Sequence, residues 1–409
     1  MGRLNSIDFV KGLAIVWITI YHAYWHIYGN FDVELGGYMG DILPQYVSAL
    51  RYSIWDGVVK VVCGLGYHGV AIFIVMSGFL QMWSNRKRGV GYRERSFTYF
   101  TKRALRIYPL YWIAMLIVIL FRISQDQTVA IMGMLEVWPV SLTQFFVDLV
   151  GMQAFTPLQM LSLNPSFWFI SMIIQFYLIF PAMRGFYMRL GDKRFLLVSL
   201  AANLGCLFLS HFIALIHPLF AMGFFGSWLF LFSLGMVLAN NYEKITSILR
   251  GVKAIIPFLI LYVIGVFLCS SLVTWPFGRI IYGSAITLFL LSLYNSIETS
   301  RILRIPRRLF EFIGRVSYAM YLTNEPYSQA YFIAVTGVNL FFTDGYGYSV
   351  NHMILPTGPF LLVFATYAAI LILTSYLLTK IDVFIRRKIN FFVISLVMLA
   401  VWFYLLLFL

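Results

Sequence analysis

The first apolar segment reads IDFVKGLAIVWITIYHAYWHIY, Ile7 to Tyr28, and carries Asp8, Lys11, His22 and His26. Charge inside a membrane helix is costly and usually functional. Lys11 and His22 are eleven residues apart. On a helix they share a face, with a rise of roughly 16 Å between them. The imidazole is the side chain suited to proton transfer near neutral pH. A cation and an imidazole on one stripe describe a site that reaches into the bilayer. The structural alternative is a snorkelling Lys11 and a His22 that packs against neighbouring helices.

A second constellation stands at TYFTKRALRIYPLYW, where Arg103 and Arg106 are i, i+3 on one face and Pro109 follows. Two guanidiniums so placed suit a phosphate or pyrophosphate, which they grip bidentately. The alternative is a topology signal, although the preceding loop already holds five basic residues between Arg86 and Arg95. A third lies in FEFIGRVSYAMYLTNEPYSQAYF. Here Asn324 and Glu325 fall at mid-helix depth, and Pro326 is expected to break the helix and free backbone groups. Such a patch marks a substrate pathway or an interhelical hydrogen bond. Gln175 and Ser77 are further intramembrane candidates for a pathway, with Ser77 beside the small-residue surface of Gly69 and Gly78. Glu311 and Arg315 complete the set, Arg315 as a snorkelling cation.

These residues need elements to hold them. Of 409 residues, 61% are hydrophobic and 11% charged, against roughly 25% charged in a soluble domain. The fold class expected is an all-α integral membrane protein, a polytopic bundle of about 10–11 transmembrane helices in a single domain, residues 1–409. The spans are 7–28, 64–83, 105–122, 166–187, 195–216, 219–239, 254–273, 279–297, 312–335, 355–380 and 390–409. The basic clusters Arg86–Arg95, Arg189–Arg194, Lys244–Lys253, Arg301–Arg308 and Lys380–Lys388 all follow even-numbered spans. That puts the N-terminus in the cytoplasm. The net charge of +14 is then for orientation and anionic lipid heads, not nucleic acid. The long, bulky first segment is expected to remain as a membrane anchor, not a cleaved signal. Cys63, Cys206 and Cys269 have no ligand spacing, so neither a metal nor a disulfide framework is expected. Two outer segments, 29–63 and 123–165, are long enough to be functional. In the second, IMGML and FFVDLVGM are expected to lie at the outer interface. Tyr28, Phe31, Tyr38, Tyr46, Trp55 and Trp138 could stack on sugar faces or form an interfacial belt.

Taken together, IDFVKGLAIVWITIYH, GVAIFIVMSGFL, KRALRIYPLYW, FWFISMIIQFYLIFP and the late IGRVSYAMYL resemble the membrane-bound acyltransferase-3 family. These are integral-membrane O-acyltransferases that modify sugars and envelope polymers. The resemblance implies transfer of an acyl group, usually acetyl, from cytoplasmic acyl-CoA to a hydroxyl of a cell-surface glycan or lipid-linked saccharide. It implies a multi-pass protein of the plasma or inner membrane, with acyl-CoA, the saccharide acceptor and the lipid bilayer as partners. It makes His22 and Lys11 the catalytic pair, and Arg103 and Arg106 the donor's phosphate clamp. Three positions depart from the family pattern. Lys11 stands for the usual Arg, the fourth block has Ile173, Ile174 and Gln175 but no Glu, and Thr323 and Asn324 stand for a usual late His. The general-base work thereby falls more heavily on His22. A transporter or flippase of a glycan or lipid precursor, or a non-catalytic member of the family, are the competing readings.

Overall fold

The computed structural model describes residues 4–28, 54–86, 96–124, 146–155, 164–212, 222–271, 273–336 and 357–388. No strand occurs among them. In chain order the helices are α1 (Asn5–Tyr28), α2 (Ile54–Gly64), α3 (Gly69–Arg86), α4 (Ser96–Ser124), α5 (Trp168–Phe212) and α6 (Leu229–Asn240). They continue with α7 (Tyr242–Ile248), α8 (Val252–Leu268), α9 (Trp275–Ile297), α10 (Arg304–Thr336) and α11 (Thr357–Lys388). Six helical stretches are long and apolar enough to cross a membrane, or seven if the pair α7 and α8, bent by 98°, counts as one. The protein is therefore an all-helical, polytopic membrane protein.

The count differs from the expected spans for physical reasons. Residues 166–187 and 195–216 join in α5, whose only non-helical residue is Gly191, at φ 70° and ψ 174°. That φ favours glycine, so the basic turn RLGDKR kinks the chain tightly at Gly191, with helix on both sides. α10 covers 312–335 but is too polar to qualify by apolarity. α6 is short because 3₁₀ turn Phe225–Trp228 precedes it. α4 starts nine residues before the expected boundary at 105, in the polar stretch SFTYFTKRA. Residues 390–409, the expected last span, lie outside the described residues.

The site hangs on the α1–α10 seam. Gly12 and Gly314 face each other there, and a Cβ on either would collide with the backbone carbonyl of Phe310 or Asp8. Small residues let helix backbones approach this closely in lipid. Lys11 meets Gly314 and His22 meets Asn324, so the two helices run parallel in near-constant register. A second close pair joins α3 to α6, where Gly78 rests on the Phe232 carbonyl and Gly235 on that of Val75. Gly69 fits against Ala14 and Ile18 of α1. The small surface of span two is thus a packing device facing two neighbours.

One expectation is corrected. Pro326 does not break its helix: α10 runs unbroken from Arg304 to Thr336. On the turn before it, the Asn324 carbonyl takes the Tyr367 hydroxyl of α11 at 2.8 Å, which ties this part of α10 to its neighbour. The segment FFVDLVGM, expected in or on the outer interface, is described from Phe146 and leads to Gln153 and Ala154, which bond to Phe167 and Ser171 at the start of α5. From Phe146 it docks on the middle of α4, where Tyr108, Tyr111 and Trp112 donate to the carbonyls of Val150, Asp148 and Leu149 at 2.7, 2.6 and 2.9 Å. Buried hydroxyl and indole donors need acceptors, and this segment supplies three in a row. IMGML lies outside the described residues.

Candidate active site

At the ends of α1, α4, α10 and α11 that carry the basic loops lies a cavity of about 210 Å³. Its wall includes Lys11, Ser77, Arg106, Arg315, Tyr321 and Arg386. Lys11 is partly buried there. Its Nζ pairs with Asp8 at 2.8 Å and donates to the Gly314 carbonyl at 3.1 Å. Arg106 is exposed on the wall, and Arg315 lies across from it on α10. The positive-inside rule puts this mouth in the cytoplasm. Four cations around one cavity suit a polyanionic group.

The paired arginines part ways. Arg106 lines the cavity, whereas Arg103 turns toward α3 and α5. Its guanidinium lies 5.2 Å from the ring centre of Tyr99 and 5.8 Å from that of Tyr177, and reaches Ser84 Oγ at 3.4 Å. An i, i+3 offset leaves about 60° between the two directions, enough for one to face the cavity and the other its neighbour Tyr177. Gln175 also leaves the pathway. It donates to the carbonyls of Gly223 and Ser171 at 2.8 and 3.3 Å and accepts from Phe225 N–H at 3.3 Å. It is a clamp on the 3₁₀ turn before α6. Ser77 lies on the cavity wall.

Further along the seam is a largely buried polar cluster. His22 Nδ1 stands 3.3 Å from Glu325 Oε2 and in closer contact with Asn324 Nδ2. Glu325 is 2% exposed by its side chain, and its Oε2 also takes Ser166 Oγ at 3.3 Å. Asn324 Oδ1 accepts from Tyr367 Oη at 2.7 Å. Tyr321 donates to the Ser166 carbonyl. Ser166 itself is set by the Asn164 cap, which accepts its N–H at 2.8 Å. Tyr321 therefore joins the two regions: its side chain ends the cavity, and Glu325 follows it by one helical turn, a rise of about 6 Å. The amide and the carboxylate compete for Nδ1. A proton on Nδ1 and directed to Glu325 leaves Nε2 as the basic nitrogen; a lone pair on Nδ1 accepting from Asn324 puts the proton on Nε2 instead.

The family model described as an acyltransferase domain, acyltransferase-3, matches residues 4–380. The chain belongs to the acyltransferase-3 family. It is an integral-membrane acyltransferase, and acyl transfer to a glycan or lipid is the general activity of this membership. No curated protein and no solved structure matches the chain. Within this acyltransferase, sequence reasoning put Lys11 and His22 on one stripe and Asn324 and Glu325 in a patch on another helix; the union of the two on one seam is a fact of the fold. It passed over Tyr321, Tyr367 and Ser166, which have no charge to betray them. It read Arg315 as a snorkelling cation and Arg386 as a topology residue. Asp382 had a legible signal, a carboxylate within the last turns of an apolar helix, four residues before Arg386. Of the aromatic candidates for sugar stacking, Trp55 is exposed. Phe31, Tyr38, Tyr46 and Trp138 lie outside the described residues, as do the side chains of His26 and Tyr28.

Proposed function

We propose that this protein moves an acyl group, acetyl by preference, from cytoplasmic acyl-CoA to a hydroxyl of a cell-surface glycan or lipid-linked saccharide at the plasma or inner membrane. The observation that carries the reading is the continuity of the seam. A cationic cavity on the basic-loop side ends at Tyr321, one turn from the His22–Glu325 pair. A polyanionic donor fits the first region and a proton-transfer base fits the second.

In this reading Arg106 and Arg315 hold the donor's phosphates, and the pantetheine arm lies along Ser77, Phe73 and Leu110 toward Tyr321. Lys11, already bridging α1 to α10, stands about 16 Å of helical rise before His22, so it adds positive potential at the donor's phosphates in the cavity and not at the thioester. Glu325 holds the Nδ1 proton of His22, and Nε2 takes the proton of the acceptor hydroxyl. The hydroxyl oxygen bonds to the acyl carbon, the carbon–sulfur bond breaks, and the CoA thiolate leaves and takes up the proton from His22. Arg103 supports the wall through Tyr177 and is a secondary contributor to the clamp.

The test is mass spectrometry of envelope glycans and lipids from cells with the protein, without it, and with His22→Ala. The expected result is one acylated species that disappears in both altered strains. An unchanged acylation pattern in the strain without the protein ends this reading.

A further inference from the structure

His22 Nδ1 faces two groups at once, the Asn324 amide and the Glu325 carboxylate. What stands behind the amide decides between them. Asn324 is 0% exposed, and beyond it lies Tyr367 of α11, 1% exposed. The Tyr367 hydroxyl sits between two oxygens of that one residue, the backbone carbonyl at 2.8 Å and Oδ1 at 2.7 Å. Ser328 also reaches this hydroxyl, and gives its own proton to the Glu325 carbonyl at 2.8 Å.

With the amide nitrogen toward His22, both ends of the amide are in conflict. A hydroxyl has a single proton. Tyr367 therefore satisfies one Asn324 oxygen and sets a lone pair against the other. At the opposite end, Nδ1 accepts from the amide. Glu325 Oε2, 3.3 Å from the same Nδ1, then faces a nitrogen that carries no proton. Mismatched polar contacts at this depth are costly. Half a turn of the amide exchanges its nitrogen and oxygen with little change of shape. Nδ2 then donates to the Tyr367 hydroxyl, and that hydroxyl donates to the Asn324 carbonyl. Oδ1 and Glu325 Oε2 both face a proton on Nδ1. Each of these contacts now joins a donor to an acceptor, and Nε2 is left as the basic nitrogen.

We propose, on the basis of the His22 reading above, that Tyr367 is a positioning residue for the transfer step. Its hydroxyl holds the Asn324 amide with the oxygen toward His22, and so keeps the imidazole in the tautomer whose Nε2 takes the acceptor's proton. Glu325 draws the same proton to Nδ1 by its charge, and Tyr367 stops the neighbouring amide from opposing it. Tyr367 does not line the donor cavity; it acts on His22 through Asn324.

The test compares wild type with Tyr367→Phe, which removes the hydroxyl and keeps the ring against Tyr331 and Phe364. Turnover of acetyl-CoA is measured in membranes of the producing cells, which carry the acceptor. The expected result is a kcat lowered about tenfold, with KM for acetyl-CoA within about twofold. In an Asn324→Leu background no amide remains to be turned, and Tyr367→Phe should cost less than about twofold. Equal losses in the two backgrounds make Tyr367 a packing residue and overturn the proposal, as does an unchanged kcat in the single variant.

A second readout needs no turnover. Nitrogen NMR of histidine-labelled full chain is recorded well above the ordinary imidazole titration, with the His22 signals identified by their loss in His22→Ala. Wild type should carry the proton on Nδ1, and Tyr367→Phe should shift population toward a proton on Nε2. A wild-type proton on Nε2, or a ratio that Tyr367→Phe does not move, overturns the proposal. Where Asn324→Leu does not fold, this measurement decides alone. If His22→Ala leaves turnover unchanged, the base reading itself falls, and this assignment with it. If His22→Ala abolishes turnover while Tyr367→Phe changes neither readout, only this assignment falls.

Discussion

The basic cavity and the His22 cluster hang from the same two helices, yet they manage charge in opposite ways. In the cavity the cations face open space: Arg106 and Arg315 are exposed, and Lys11 reaches the wall from a partly buried stem. Long cations tolerate such a place because their stems are apolar and their heads remain solvated. In the cluster the only carboxylate is buried, and it is held by an imidazole and a serine. A charge there survives only through its hydrogen bonds. The contrast separates two jobs. Reversible capture of a polyanion needs cations that can reorganise, whereas proton transfer needs a fixed tautomer in a site that does not.

The contrast breaks first at His22. His22→Ala should lower acyl transfer by about 10³-fold, within the range for loss of a general base, while CoA affinity stays within about twofold. Turnover of acyl-CoA by the purified variant, set beside its CoA titration, checks both halves. A large loss of affinity would mean that the two regions are one site. Glu325→Gln comes next. The amide keeps the shape and can no longer demand a proton on Nδ1, so the rate should fall by about 10²-fold with donor binding again unchanged. Unaltered turnover would leave the carboxylate as a packing partner of Ser166 and nothing more.

How far the sequence went follows the same division. Composition and the basic clusters were enough for a polytopic helical membrane protein, because lipid permits little else and because Lys and Arg report orientation. Isolated ionisable residues in apolar helices were also legible, since their burial is costly wherever they end up. Partnership was not. His22 and Glu325 are 303 residues apart, and only the Gly12–Gly314 seam brings them together. Each glycine alone reads as one of 30 in the chain. The same limit explains Gln175 and Arg103. Both are polar residues in a membrane helix, and the sequence cannot say whether such a group faces a cavity or a neighbour's backbone. Pro326 shows the converse: a breaker in the sequence does not end a helix whose neighbouring turn is held by α1 and α11.

The cavity half predicts smaller effects, and they distinguish its two arginines. Arg106→Ala should weaken CoA binding about tenfold, the loss of about 1.4 kcal/mol. Arg103→Ala should cost less than about threefold, because its guanidinium is spent on Tyr99, Tyr177 and Ser84. Isothermal titration of both variants decides it. Equal losses would mean that Arg103 swings into the cavity when the donor binds, and that the clamp is completed by its ligand.

The smallest effect concerns Lys11, the position where the family usually has arginine. The ammonium is compact and already has two partners, Asp8 at 2.8 Å and the Gly314 carbonyl at 3.1 Å. Both partners belong to the seam: Asp8 is the residue whose carbonyl lies against Gly314. A point charge can satisfy them together, whereas a planar fork must choose an orientation. Lys11→Arg should therefore change CoA affinity by less than about threefold, since the charge at the cavity wall is kept. Its thermal midpoint should fall by a few degrees, since the larger head has to displace one of two close contacts. Lys11→Gln keeps a donor and loses the charge, and should weaken CoA binding more than the arginine variant does. If arginine instead tightens CoA binding tenfold, the bidentate grip absent from this chain was part of donor capture. Lys11 would then belong to the phosphate clamp and not to the seam that carries His22.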